Sequence, residues 1–101
     1  SAFILEQNYP NPFNPSTTIS FTIPNVTLSL SSRAETRDEG FQVQLQVYDI
    51  LGNDISTLVN EEKPAGNYSI NFDGQGLASG IYFYKLKVGI QESIKKMILL
   101  R

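Results

Sequence analysis

The sequence predicts an all-β fold, an antiparallel β-sandwich of about seven short strands. No stretch of eleven or more residues keeps a helical spacing of apolar residues without a Gly, Pro or β-branched interruption. Instead, apolar and polar residues alternate along most of the chain, as they do in strands with one buried face. This pattern is typical of the immunoglobulin-like architecture, although the chain lacks the cysteines and tryptophan of antibody domains.

The strands can be placed in chain order from this alternation and from the turn residues between them. Ile19, Phe21 and Ile23 share one face of a first strand in the segment "TTISFTIP". A second strand, "FQVQLQVYDI", alternates apolar residues with glutamines and is expected to be half-buried. Further strands are expected over 54–60, 67–72, 81–88 and 92–100, after turn signals at Gly52–Asn53, Pro64 with Gly66, 73–80 and Gly89.

The length of 101 residues suits one domain, and residues 1–101 are expected to form a single sandwich. Residues 29–40 are polar and mixed in charge, which predicts a long, mobile loop between two strands. Both a functional lid and a tolerated insertion are open readings of this loop. Because the chain begins with Ser rather than Met, it is expected to be a processed piece or an expressed fragment of a longer protein.

The composition excludes several classes of function. The chain contains no histidine and no cysteine, so it lacks the residues of a Ser–His–Asp or Cys–His centre and of an ordinary zinc site. The net charge of −2 argues against nucleic-acid binding, because the lysines and arginines are scattered except for Lys95–Lys96. No segment resembles a membrane span. We therefore expect no cofactor and no metal, with carboxylate-only catalysis as a remote alternative.

Two further patterns have ordinary explanations. The glycines of "DGQGLASG" are one residue off a dinucleotide-binding spacing, and they precede a strand rather than the helix that a phosphate site needs. Three carboxylates beside predicted turns could bind calcium, but Asp next to a turn is ordinary turn chemistry; they are Asp49, Asp54 and Asp73.

Four segments that occur in order along the chain are similar to the sequence motifs of a known protein family. They are "LEQNYPNPFNPSTTISFTIP", "VYDILGNDISTLVNEEKPAGNYSINFD", "LASGIYFYKLKVG" and "IKKMILLR". Together they resemble the successive motifs of the type A C-terminal sorting domain of the type IX secretion system. The resemblance runs from Leu5 to Arg101, and the main departure is a longer loop at 29–40.

The resemblance implies a non-catalytic role. Such domains sit at the C-terminus of larger Gram-negative cargo proteins, which reach the periplasm through a signal peptide. The folded domain then directs its cargo through the outer-membrane translocon. A cell-surface sortase commonly cuts ahead of the domain, and the cargo is attached to the surface or released. The implied partners are therefore the translocon, the sortase and the cargo in the same chain.

The resemblance also implies which residues take part in recognition. Its first block contributes Asn8, Pro10, Asn11, Pro12 and Phe13; its later blocks contribute Gly80, Tyr82, Leu86, Lys95, Lys96, Met97 and Arg101. Phe83 joins them because it shares a strand face with Lys85 and Lys87. Family knowledge places recognition mainly in the last two strands.

The chemistry of these residues allows structural readings beside the functional ones. The first block packs three prolines and three asparagines into residues 8–15, and it is expected to be a stiff, extended brace that lays Phe13 on the sandwich. The alternative is a fixed surface for a partner. The last strand is either a plain edge strand or a site of β-augmentation. We expect Tyr82 and Tyr84 in the core and exposed lysines at 95 and 96, whose charge reversal should block export without changing the melting temperature.

Two other functions remain open at this point. An accessory module that binds carbohydrate or adheres to a surface would need a row of exposed aromatic side chains. A passive immunoglobulin-like spacer would fail to export a foreign cargo.

Overall fold

The computed structural model describes residues 3–24 and 40–101. Apart from Gly40, the loop expected over 29–40 lies outside the described residues. The described part contains seven strands and no helix, which confirms the all-β prediction. The strands are β1 (Ile4–Leu5), β2 (Ser16–Ile23), β3 (Phe41–Asp49), β4 (Asp54–Lys63), β5 (Gly66–Asp73), β6 (Gly80–Val88) and β7 (Gln91–Leu99).

The strands form two antiparallel sheets that pack as a sandwich, as the sequence predicts. One sheet has the order β1-β2-β5 and the other has the order β4-β3-β6-β7. The two-residue strand β1 is the element that the alternation did not indicate; it pairs with β2 through Ile4 and Leu5. Among the seven strands, the last one, β7, pairs with β6 alone, and it is therefore an edge strand of its sheet.

The predicted turns form the connections. β3 and β4 pair as a hairpin around Gly52–Asn53. Gly89 and Ile90 make the two-residue turn between β6 and β7, and Gly89 has the positive φ of 61° that such turns require. Pro64 and Ala65 carry the chain from the end of β4 in one sheet to β5 in the other.

The core lies between the sheets and is built from one face of each strand. The inward-facing residues of β6 are the four that the alternation predicts, and all are buried: Tyr82, Tyr84, Leu86 and Val88. Leu45 of β3 and Met97 of β7 are their fully buried neighbours. The hydroxyl of Tyr82 donates a hydrogen bond of 2.7 Å to the carbonyl of Ala78, four residues upstream. This contact is the tyrosine corner that is characteristic of immunoglobulin-like sandwiches.

Candidate functional site

Residues 6–15, here called the strap, connect the two sheets along one side of the sandwich. Tyr9 pairs with Thr18 of β2 through backbone hydrogen bonds of 3.0 and 2.9 Å. Phe13 pairs in parallel with Leu99 of β7; its N–H donates to the carbonyl of Ile98 at 2.9 Å. Proline has no N–H to donate, so the strap makes these isolated bridges at non-proline residues rather than a continuous ladder.

Asn8 fixes the start of the strap inside the protein. Its side chain is buried and its Nδ2 donates to the carbonyl of Pro10 at 3.1 Å and to Oγ1 of Thr17 at 3.0 Å. The Thr17 hydroxyl, also buried, donates to the same Pro10 carbonyl at 2.8 Å. Gln7 Nε2 donates to Oδ1 of Asn8 at 2.7 Å. Because a buried amide must have its partners to avoid a large penalty, Asn8 is a structural residue of the strap.

Phe13 is the apolar anchor of the strap, as the brace interpretation predicts. Its side chain is only 1% exposed, and its ring meets that of Phe72 edge-on with the centroids 6.1 Å apart. Gly74 makes this possible, since a Cβ at that position would lie 3.2 Å from the Phe13 ring and 3.3 Å from Leu99. The first glycine of "DGQGLASG" therefore serves packing against the strap, and the run does not form a phosphate loop.

The strap occupies much of the free edge of β7. The backbone groups of β7 that face away from β6 include the carbonyl of Lys96 and both groups of Ile98. Gln7 Nε2 donates to the Lys96 carbonyl at 2.7 Å, and Oδ1 of Asn11 accepts from the N–H of Ile98 at 2.9 Å. The carbonyl of Phe13 accepts from Leu100 at 3.0 Å. Hence the edge from Lys96 to Leu100 is already paired, and β-augmentation by a partner would have to displace the strap.

Tyr84 joins the strap to the C-terminal hairpin from inside the core. Its hydroxyl donates to the carbonyl of Glu6 at 2.6 Å and accepts from the N–H of Asn8 at 2.8 Å. Burial raises the pKa of Tyr84 from its ordinary 10.0 to about 12, against an opposing contribution from the Asn8 hydrogen bond. The sequence placed Tyr84 in the core but gave no sign of these partners, which lie more than 70 residues away.

The end of the chain fastens the loop between β5 and β6. Arg101 donates from Nε to the carbonyl of Leu77 at 2.7 Å and from Nη2 to the carbonyl of Gly74 at 3.0 Å. Its backbone N–H donates to Oγ of Ser79 at 2.9 Å. Arg101 therefore orders the loop that packs on Phe13, in addition to carrying an exposed charge.

The structure divides the predicted recognition residues by exposure. The buried ones are Asn8, Phe13, Tyr82, Leu86 and Met97, and the exposed ones are Pro10, Asn11, Pro12, Gly80, Lys96 and Arg101. Phe83 is half-buried on the outer face of the four-stranded sheet. Lys95 is also half-buried, because it shares the inward phase of β7 with Met97. Of the lysine pair that the sequence treats as exposed, only Lys96 is fully exposed.

Positive and negative residues are concentrated in different parts of the chain, although the lysines and arginines look scattered in the sequence. Residues 80–101 contain five of the eight Lys and Arg but only one of the ten acidic residues, which gives a net charge of +4. Residues 1–79 carry the other three cations and nine acids, a net charge of −6. The described ion pairs are Lys63–Glu61 at 3.0 Å and Lys85–Glu92 at 3.6 Å, so Lys96 has no described carboxylate partner.

Of the three possible calcium ligands, Asp49 and Asp73 serve turns, whereas Asp54 begins β4 and its Oδ2 accepts from Nε2 of Gln46 at 3.4 Å. Asp49 accepts from the N–H groups of Leu51 and Asn53 at 2.9 and 2.8 Å, and these bonds, led by those of Asn53, lower the pKa of its carboxyl. Asp73 accepts from the N–H of Gln75 at 3.0 Å. Within residues 3–24 and 40–101, acidic side chains do not gather in a group of three or more that could hold a metal ion.

The described cavities offer little chemistry. A cleft of about 310 Å³ beside the β6–β7 turn is lined by apolar residues such as Phe3, Ile23, Phe41 and Val88, with Gln91 as its one polar side chain. It contains no titratable group that could act as an acid or base. The part of the chain that the structure describes also contains no helix that is long and apolar enough to span a membrane.

Comparison with known proteins identifies a family. The family model described as "Secretion system C-terminal sorting domain" matches residues 7–100, and so it includes the strap and β7. A search of curated proteins finds no match.

Proposed function

The chain belongs to the family of C-terminal sorting domains of the type IX secretion system, and on that premise we propose that its folded surface is the ligand of the outer-membrane translocon. Membership of the family implies secretion to the cell surface or the extracellular space and a cargo region N-terminal to the domain. In this proposal the cargo crosses the periplasm, passes the translocon and is then attached or released by a cell-surface sortase. The domain itself performs no catalysis.

The observation that supports this proposal best is the contact between the strap, which carries the first motif, and β7, which carries the last motif. The strap binds the edge of β7 through Asn11 and Phe13, and Tyr84 holds the strap from below. The two motifs are about 85 residues apart in sequence and form one continuous surface. A partner that binds this surface therefore binds the folded domain, since the strap pairs with β2 of one sheet and with β7 of the other.

The motif residues have two different roles in this arrangement, according to whether they are buried or exposed. Buried members such as Phe13, Tyr82 and Met97 shape the surface from behind. Exposed members such as Pro12, Asn11 and Lys96 remain available for contact. Substitution of a buried member stops recognition by unfolding the domain, whereas substitution of an exposed member removes a contact.

A graft onto a foreign cargo tests the proposal. The whole chain, residues 1–101, is fused to the C-terminus of a fluorescent protein that carries an ordinary signal peptide. It is expressed in a strain with a working type IX system and in one that lacks the translocon. We expect fluorescence outside the first strain and periplasmic retention in the second. Retention in both strains, with the domain shown to be folded, would instead favour a spacer.

Reversal of one charge makes the test more specific. We expect Lys96→Glu to reduce export of the fusion strongly while the melting temperature stays within about 4 °C, because exposed substitutions change stability by less than about 0.5 kcal/mol. The half-buried Lys95 is less suitable, since a change there also alters packing. Lys87→Glu is the matched control: it reverses an exposed lysine of the same hairpin and should leave export normal. Normal export of the Lys96 variant would contradict its role.

The carbohydrate-binding alternative receives no support from the aromatic residues. Phe13, Phe21, Phe72, Tyr82 and Tyr84 are buried. On the outer face of the four-stranded sheet, the described aromatic side chains are Tyr48 and Phe83, both half-buried. They are too few and too covered to form a platform for a chain of sugars.

A further inference from the structure

A cluster of exposed aliphatic side chains lies at the end of the four-stranded sheet where β7 finishes. We call it the apolar corner; it consists of the exposed Ile50, Leu51, Ile81 and Leu100 and of the half-buried Ile98. Leu51 is 83% exposed, Ile50 is 65% exposed and Leu100 is 55% exposed. None of these three contributes to the buried core. The sandwich therefore does not require their apolar character.

The strand register brings these residues together. Ile81 of β6 lies opposite Ile98 of β7, and Asp49 of β3 lies opposite Tyr82, so Ile50 follows next to Ile81. The register places Ile81 beside Ile98 as cross-strand neighbours, whose Cβ atoms are typically about 5 Å apart, and Ile50 continues from β3 at the start of the β3–β4 turn. Leu51 follows Ile50 in this turn, and Leu100 lies two residues after Ile98.

A row of three residues on the same strands continues the surface. Tyr48 lies opposite Phe83, and Phe83 lies opposite Lys96. The two aromatic rings are half-buried, and Lys96 is exposed with no described carboxylate partner. Phe83, which the sequence indicated as a contact residue, thus adjoins the apolar corner. Exposed aliphatic side chains that form a contiguous patch with a polar border are characteristic of protein interaction sites.

The charge around the apolar corner indicates what kind of surface would cover it. Residues 80–101 carry a net charge of +4 in a chain whose net charge is −2, whereas Asp49 and Asp54 place two carboxylates beside the β3–β4 turn on the other side of the corner. Lys96 stands directly beside the aliphatic residues and Arg101 follows Leu100. A complementary partner would place carboxylates opposite these cations around an apolar centre.

Two other occupants fit the surface less well. A symmetric pair of copies would use the same patch on both, which would bring the Lys96 side chains of the two copies into one interface at a cost in free energy. An anionic membrane is usually bound through clusters of about four to eight cations, whereas this sheet face also carries Asp54 and Glu92 near Tyr48 and Lys87.

We propose that the apolar corner, with Lys96 beside it, is the surface that docks onto an acidic protein surface of the type IX translocon. The proposal rests on the proposed sorting function and assigns that function to a defined face, including Ile50 and Leu51 of the β3–β4 turn, which lies outside the last two strands. The apolar side chains provide the buried centre of the contact and Lys96 provides its charged border.

Binding to purified translocon tests the assignment directly. The 101-residue chain and its variants are applied to immobilised, detergent-solubilised type IX translocon and the Kd is measured. The test variant is Ile50→Ser with Leu51→Ser. The control is Ile90→Ser with Ile94→Ser, which removes two aliphatic side chains that are 96% and 59% exposed at other positions of the same sheet. Denaturation curves of both variants verify that the fold is intact.

We expect the test variant to raise the Kd by at least about tenfold and the control to stay within about twofold of the unmodified chain. Lys96→Glu should also raise the Kd, whereas Lys87→Glu should not. If the unmodified chain binds and the test variant binds equally well, the docking assignment is overturned while the sorting function stands. If the unmodified chain neither binds nor exports its cargo in the graft, both proposals fail.

Three other outcomes would show that something other than the translocon covers the apolar corner, and each would overturn the docking assignment. Export without measurable binding to the translocon would mean that another component covers the corner. Sedimentation that shows concentration-dependent dimers, lost in the Ile50→Ser, Leu51→Ser variant, would identify a second copy. Binding to phosphatidylglycerol vesicles that is lost in the same variant would identify a lipid surface.

Discussion

The hydroxyl of Tyr84 satisfies two backbone groups of the strap that no other described side chain reaches. It donates to the Glu6 carbonyl and accepts from the Asn8 N–H at distances of 2.6 and 2.8 Å, deep in the molecule. A buried polar group that loses its partner costs about 1–3 kcal/mol, which exceeds the net gain of an average hydrogen bond. This hydroxyl therefore stabilises the fold mainly by keeping the Glu6 carbonyl and the Asn8 N–H hydrogen-bonded.

Removal of this hydroxyl should destabilise the domain more than its small volume suggests. We expect Tyr84→Phe to lower the free energy of unfolding by about 2–4 kcal/mol, because it leaves both strap groups unsatisfied. Tyr68→Phe is the control: its hydroxyl donates to the exposed Pro64 carbonyl at 2.6 Å, and its loss should cost less than about 1 kcal/mol. Urea denaturation measures both. Equal losses in the two variants would show that Tyr84 does not hold the strap in this way.

The same residue should make stability sensitive to alkali. The pKa of Tyr84 is about 12 in the folded protein against 10.0 ordinarily, because burial disfavours the phenolate. The unfolded chain thus loses this proton at a lower pH, and the contribution is complete below pH 10 and decreases as the pH rises through 12. We expect the free energy of unfolding to fall between pH 10 and about 12, and to fall less in Tyr84→Phe. Identical pH profiles would exclude Tyr84 as the source.

At the scale of the element, the strap is a stabilising segment with one buried aromatic and one exposed aromatic. Phe13 fills the space above Gly74 and beside Phe72, whereas Tyr9 is 81% exposed although its backbone pairs with Thr18. The two residues lie four positions apart in the same strap. Both residues pair through their backbones, but only the side chain of Phe13 packs in the core. Substitutions at the two positions can therefore distinguish side-chain packing from backbone pairing.

Alanine substitutions at these two positions should have very different effects. We expect Phe13→Ala to cost about 3–5 kcal/mol, as removal of a fully buried Phe usually does, and to leave the edge of β7 without its cover. Tyr9→Ala should cost less than about 0.5 kcal/mol, because its side chain is exposed. Urea denaturation gives the free energies and sedimentation detects association through the open edge. A small loss in Phe13→Ala would contradict the anchoring role of the strap.

The strands were predictable from sequence and the strap was not, for a physical reason. Alternation between buried and exposed faces is a local property, so β6 and its inward residues Tyr82 and Tyr84 follow from a few neighbouring letters. The partners of Asn11 and Tyr84 depend on how distant segments meet. The proline content predicted a stiff, extended segment, whereas the strap contains bends; the burial of Phe13 against the sandwich is confirmed. The pairing with β7 required the three-dimensional fold.

The recognition residues show the same division. Lys95 and Lys96 are adjacent in the sequence and were both expected to be exposed. Successive side chains of a strand point to opposite faces, so Lys95 points inward and is half-buried while Lys96 is exposed. The apolar corner was missed because Ile50 and Leu51 lie in a turn, where apolar residues carry no periodic signal. The pairing of Asp49 with Tyr82 and of Ile81 with Ile98 brings the start of this turn to the start of β6 and the end of β7, which the local sequence does not show.

For the whole molecule, the separation of charge gives the sorting proposals a common test. Residues 80–101 carry a net charge of +4 and residues 1–79 carry −6, so an acidic partner would be attracted to the hairpin of β6 and β7 rather than to the chain as a whole. Salt screens such attraction over about 10 Å at 0.1 M and over about 3 Å at 1 M. The affinity for the translocon should therefore decrease as salt is raised, while contacts of the apolar corner persist.

Two lysine variants distinguish a local contact from the effect of net charge. Lys96→Glu and Lys87→Glu change the net charge equally, but only Lys96 adjoins the apolar corner. We expect the salt dependence of the Kd, measured from about 50 mM to about 500 mM, to become much weaker in Lys96→Glu and to stay close to that of the unmodified chain in Lys87→Glu. If both variants reduce it equally, the attraction depends on the overall charge of the hairpin, and Lys96 makes no specific contact with the translocon.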